Sequence, residues 1–105
     1  MKIRGRRIFI SGAASGIGRA TAVEMAKAGG RLFLTDINGD GLEETCSLIR
    51  RTGHEVCMAR AFDIADHNAV SAFAGDVHSR FGPLNILVNV AGIALFSQIE
   101  EMSHT

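Results

Sequence analysis

Three glycines in the spacing G-x-x-x-G-x-G, Gly12, Gly16 and Gly18, carry the clearest chemical signal in this sequence, with Ser11 and Ser15 beside them. On a strand-to-helix turn such residues make an anion cradle. The N–H groups of a helix's first turn have no intrahelical partner, and the positive end of the helix dipole adds to their pull on a phosphate. Gly12 suits a sharp exit from a strand, and Gly16 lets the backbone touch a pyrophosphate because no Cβ intervenes. Gly18 heads a stripe continued by Ala22, Met25 and Gly29, which faces the sheet. The spacing differs from the G-x-G-x-x-G dinucleotide fingerprint, and no Lys-Ser/Thr pair follows Gly18 to make a P-loop. In a chain with 12 glycines the spacing also arises by chance, so its weight depends on what flanks it.

Asp36 is the second chemically suggestive residue. It follows Gly18 by 18 positions, close to the separation of about 20 at which an acidic side chain accepts hydrogen bonds from the ribose hydroxyls of a dinucleotide. A carboxylate there also repels a 2′-phosphate. The plainer reading is a turn residue or helix cap, because Asp-Ile-Asn-Gly-Asp-Gly is rich in turn formers.

The elements that must position these residues can be read from periodicity. Residues 7–10 are β-branched and aromatic and predict a strand, and a helical pattern runs from Gly16 until Gly29-Gly30 stops it. Residues 31–35 predict a second strand buried on both faces, with Asp36 at its end. Leu42, Thr45, Cys46 and Ile49 share one face of a crossover helix, with Glu43 and Glu44 near its start and Arg50, Arg51 and Gly53 at its close. A third parallel strand is expected within residues 54–62, ending at Asp63. Asp66 then caps a helix whose apolar stripe is Val70, Phe73 and Val77, and Phe81-Gly82-Pro83 ends it. Residues 84–88 form the fourth strand, leading into Asn89-Val90-Ala91-Gly92. Strand and helix alternate throughout. The expected fold class is therefore α/β, a Rossmann-like doubly wound parallel sheet, truncated, with strand order 3-2-1-4 and the third helix on the opposite face. The order reverses between strands one and four. Gly12 to Gly18 and Asn89 to Gly92 would then line one crevice.

The 105 residues suit one domain, and 11 basic against 11 acidic side chains leave no global field for nucleic acid or an anionic membrane. A small-molecule partner is expected. Cys46 and Cys57 form no C-x-x-C and no apolar run approaches a membrane span, which favours a reducing cytoplasmic setting. His54, His67, His78 and His104 show no metal-ligand spacing and read as solvated side chains. Lys2, Arg4, Arg6 and Arg7 lack the aromatic interleaving of a nucleic-acid arm and read as a solvated strand entry.

Over essentially its whole length the chain resembles the cofactor-binding half of the short-chain dehydrogenase/reductases of the classical type. Ser11 to Gly18 matches that family's T-G-x-x-x-G-[IL]-G with Ser for Thr, and Asp36, followed by Ile37, matches its acidic cofactor selector. Asp63-Ile64 matches its adenine-contacting pair, and Asn89-Val90-Ala91-Gly92 matches N-N-A-G with Val90 at the second Asn. The resemblance implies an oxidoreductase moving a hydride between alcohol and ketone with NAD, NADP being less favoured, and a homo-oligomer at full length. Its implied cofactor contacts are Ser11, Gly12, Ser15, Gly16, Ile17, Gly18, Asp36, Ile37, Asp63, Ile64, Asn89, Ala91 and Gly92. The family's catalytic Ser and Tyr-x-x-x-Lys lie downstream of N-x-A-G, and this chain contains no Tyr. An incomplete sheet is expected, and with it a chain that does not catalyse alone. The alternative is a nucleotide-binding module with no catalysis of its own.

Overall fold

A computed structural model describes residues 2–90. Strands β1 (Arg7–Ser11) and β2 (Arg31–Asp36) form the centre of the sheet, because their side chains are apolar on both faces. Ile8, Ile10, Leu32 and Leu34 pack on one face and Phe9 and Phe33 on the other, all of them buried. Helices α1 (Gly16–Lys27) and α2 (Gly39–Arg51) cover the first face through Ala22, Ala26, Leu42, Cys46 and Ile49. Helix α3 (His67–Phe81) covers the second face with Phe73 and Val77.

The edge strands are β3 (Met58–Ala61) and β4 (Ile86–Asn89). Every pairing is parallel and the order is β3-β2-β1-β4, as the alternation of elements implies. Ser11 lies opposite both Thr35 and Asn89, and Asp36 lies opposite Ala61. The carboxyl ends of all four strands therefore share one edge, and the direction of winding reverses between β1 and β4. That reversal opens a crevice.

Two strands differ in extent from the pattern-based expectation. β3 is only four residues long and does not reach back to His54 or on to Asp63. Among the described residues its partner is β2, whose last residue, Asp36, pairs with Ala61, so the ladder cannot run on to Asp63. Single bonds persist beyond it, from Cys57 N–H to the Leu32 carbonyl and from Phe62 N–H to the Asp36 carbonyl. β4 starts two residues late because Asn85 pairs differently: its side-chain oxygen accepts from Arg7 N–H at 2.8 Å while its own N–H donates to the Arg7 carbonyl.

Local signals set the helix ends. Asp66 accepts from Ala69 N–H as expected of a cap, and Asn38 does the same for α2 from Gly41 N–H. Arg7 is not merely a solvated entry to β1, since its side chain donates to the Pro83 carbonyl and ties the loop before β4 to the sheet. Phenylalanines fill the α3 face: Phe33 meets Phe81 edge to face at 5.1 Å, and Phe73 meets Phe9 at 5.6 Å and Phe62 at 5.5 Å. Both cysteines are free. Burial, with the Glu43 charge second, pushes the Cys46 thiol up, so it serves as an inert core side chain.

Candidate functional site

The crevice at the carboxyl edge is a cleft of about 340 Å³ whose wall on the β1 side is Ser11, Gly12 and Ser15. Thr35, Asp36 and Ile37 form its β2 side, and Phe62, Asp63, Ile64 and Val90 complete it. Seven of the residues expected from sequence thus meet in one cavity: Ser11, Gly12, Ser15, Asp36, Ile37, Asp63 and Ile64. Asn89 lies just beneath, accepting a hydrogen bond from the Ser11 hydroxyl at 3.0 Å. Val90 keeps the main-chain link of that corner, its N–H donating to the Ser11 carbonyl at 3.2 Å, although it lacks a polar side chain. Ala91 and Gly92 lie outside the described residues.

The turn is shaped by its glycines. Gly12 leaves β1 with φ +71°, a conformation that side chains rarely adopt. A Cβ at residue 18 would stand 1.7 Å from the Gly12 carbonyl oxygen and 2.6 Å from its carbon, so α1 can start this close to the turn only without a side chain there. Gly18 is therefore buried under the turn, whereas Gly16 and Ile17 are exposed on the first turn of α1. At Gly16 the space a side chain would occupy is open. Ser15 sits at the N-cap of α1, and its side chain makes no capping bond. The cradle accordingly offers first-turn N–H groups, the dipole of a twelve-residue helix and an approach free of side-chain bulk. These residues fit a phosphate-bearing cofactor.

Asp36 acts as the turn former of its plainer reading and also braces the glycine turn. Its Oδ1 accepts from Asn38 N–H at 2.9 Å, as a turn former does, while its Oδ2 accepts from Ala14 N–H at 2.9 Å and ties β2 to the glycine turn. It remains only half-buried and faces the cleft. Asp63 is exposed across from it, its Oδ1 held by Ala65 N–H at 2.9 Å. Among the described residues, two carboxylates and no Lys or Arg line this cavity. Ile37 is 72% exposed and Ile64 and Phe62 are half-buried, which gives the mouth an apolar rim suited to a flat aromatic base.

Val90 lines the cleft as expected of the Asn89-to-Gly92 segment, whereas Thr35 and Phe62 line it without having been singled out by pattern. Each of these two is an ordinary strand or strand-end residue in sequence, and only the register brings them here. Arg19 and Thr45 were also not legible as part of the site. Their network beneath the turn appears only when α1 and α2 are placed side by side. Among the described residues, no group of three His, Cys, Asp or Glu stands close enough to hold a metal ion, and no helix is long and apolar enough to cross a membrane.

A sequence profile described as short chain dehydrogenase matches residues 6–105, and the chain belongs to that family. It is 38% identical over 104 residues to a D-threitol dehydrogenase of Mycolicibacterium smegmatis, covering 97% of this chain and 39% of that protein. Among solved structures, a carveol dehydrogenase from Mycobacterium avium in complex with NAD superposes with a TM-score of 0.78 at 29% identity, over 88% of this chain and 37% of that one. An actinorhodin polyketide ketoreductase with NADPH gives 0.77 at 33% identity, over 84% of this chain and 33% of that one. The chain spans about a third of the length of the curated relatives it matches.

Proposed function

We propose that this chain supplies the dinucleotide-binding half of an NAD-dependent oxidoreductase that moves a hydride between an alcohol and a ketone. The observation that carries the choice of NAD is the Asp36 carboxylate at the end of β2, facing a cleft that no cation lines among the described residues. Each of its oxygens already accepts one backbone N–H and has a second lone pair for a ribose hydroxyl. A 2′-phosphate at that position meets a negative charge. Neither Ser15 nor Ile37 supplies a basic side chain to offset it. The first turn of α1 binds the pyrophosphate, and Ile37, Phe62 and Ile64 exclude water from the adenine. When bound, the nicotinamide carries the hydride.

Titration of the protein, expressed from its whole reading frame, with NADH and NADPH tests the reading. A preference for NADH of about ten- to a hundredfold is expected, the size of one repulsive charge pair in a partly solvated site. Asp36→Ala should weaken both cofactors, because it also removes the acceptor for Ala14 N–H, and should shrink the ratio between them. Tighter binding of NADPH by the parent, or an unchanged ratio in the variant, rejects the assignment.

Alcohol oxidation also needs a group that takes the hydroxyl proton near the working pH. The 105 residues contain no Tyr, and no described residue offers a base and partner in the cleft. Residues 1–105 by themselves should therefore show no NAD reduction with a panel of secondary alcohols. Turnover by those residues alone overturns this part of the reading.

A further inference from the structure

We propose that Arg19 is a positioning residue for the cofactor turn: it fixes the Ala14–Ser15 peptide so that Ser15 N–H faces the cleft. The inference rests on the dinucleotide reading above and adds a residue that lies outside the cleft lining.

Arg19 is the only charged side chain in the first turn of α1, where the helix dipole disfavours a cation. Its guanidinium does not enter the cleft, and no cleft-lining position belongs to it. It turns under the glycine loop instead. One terminal nitrogen donates to the Ala14 carbonyl, to the Gly41 carbonyl at 3.0 Å and to the Glu44 carboxylate at 3.1 Å, while Nε donates to the Thr45 hydroxyl at 3.0 Å. That hydroxyl, fully buried, donates in turn to the Ala13 carbonyl at 2.7 Å.

The other side of the same two residues is held by β2. Ala13 N–H donates to the Thr35 carbonyl at 3.1 Å and Ala14 N–H to the Asp36 carboxylate at 2.9 Å. All four backbone polar groups of Ala13 and Ala14 are thus committed, two to β2 and two to the Arg19–Thr45 pair. A trans peptide is planar, so its C=O and the following N–H point in opposite directions. Holding the Ala14 carbonyl down on Arg19 aims Ser15 N–H up, toward the cavity that Ser15 lines. Without the guanidinium the Ala14 carbonyl loses the hydrogen bond that holds it down, and rotation of that peptide would turn a carbonyl oxygen toward an incoming phosphate.

The test compares two probes, ADP, which carries the pyrophosphate, and adenosine, which does not. They are titrated by calorimetry into the parent protein and into Arg19→Met, which keeps the apolar stem and loses every donor. ADP should bind the variant about tenfold or more weakly while adenosine changes by less than about twofold. Arg19→Lys, able to hold one carbonyl but not Thr45, should restore part of the ADP affinity. Thr45→Val, close in shape, should lower the same ratio, and it stands in if Arg19→Met does not fold. A merely structural role would lower the melting temperature and leave the ratio of ADP to adenosine affinity at the parental value, and that result overturns the proposal. If the parent binds neither probe, the dinucleotide reading itself fails; if the parent binds and the ratio holds, only the role of Arg19 does.

Discussion

Gly18→Ala should abolish cofactor binding and lower the melting temperature by about 10–20 °C, the shift that roughly 3 kcal/mol produces in a domain of this size. The added carbon would lie 1.7 Å from the Gly12 carbonyl oxygen, and every atom it meets is backbone. No side chain can rotate out of the way, so either α1 retreats from the turn or the turn opens. Overpacking of a well-filled site already costs about 1–3 kcal/mol, and here the strained element is the cradle itself. Circular dichroism melts and NADH fluorescence titration check the two effects together. A variant that melts within about 2 °C of the parent and binds normally would show that the contact is not as close as described.

Phe33→Ala, away from the cleft, should cost about 3–5 kcal/mol of stability. Phe33 is fully buried in the central strand and meets Phe81 edge to face at 5.1 Å, so truncation leaves a cavity between β2 and the end of α3. Domains of this size are held by about 5–15 kcal/mol in total. The expected result is a urea midpoint lowered by about a fifth or more with an unchanged slope, measured on the protein from its whole reading frame. A midpoint within about a tenth of the parental value would place the weight of the α3 face elsewhere.

How much of this was legible depended on the kind of signal. The central strands could be read because being buried on both faces demands unbroken apolar runs, and residues 7–10 and 31–35 are such runs. Helix α2 declared itself through Leu42, Thr45, Cys46 and Ile49 on one face. The edge strand β3 was blurred because it is half-exposed and pairs on one side only, so residues 54–57 differ little from it in composition. In the site, glycine spacing and the strand-end position of Asp36 were visible, since each is a local backbone requirement. The bond from Ala14 N–H to Asp36 and the Arg19–Thr45 pair were not visible. Those contacts join residues 22 and 26 apart, with whole elements between them, and side-chain type alone does not say which way Arg19 turns.

The hydrogen bond from Ser11 to Asn89 joins residues 78 apart, across nearly the full described length. During synthesis the chain is delivered from its N-terminus, so β1, α1 and β2 can assemble while β4 is still inside the ribosome. The phosphate turn and its strut from Asp36 belong to that early unit. β4 then closes against a β1 edge that has waited exposed through two crossovers, a non-local pairing of the kind that makes parallel sheets slow to form and open to association. In the nascent chain the cradle precedes the floor beneath it, and the interval between the two is when a chaperone would find the apolar edge of β1.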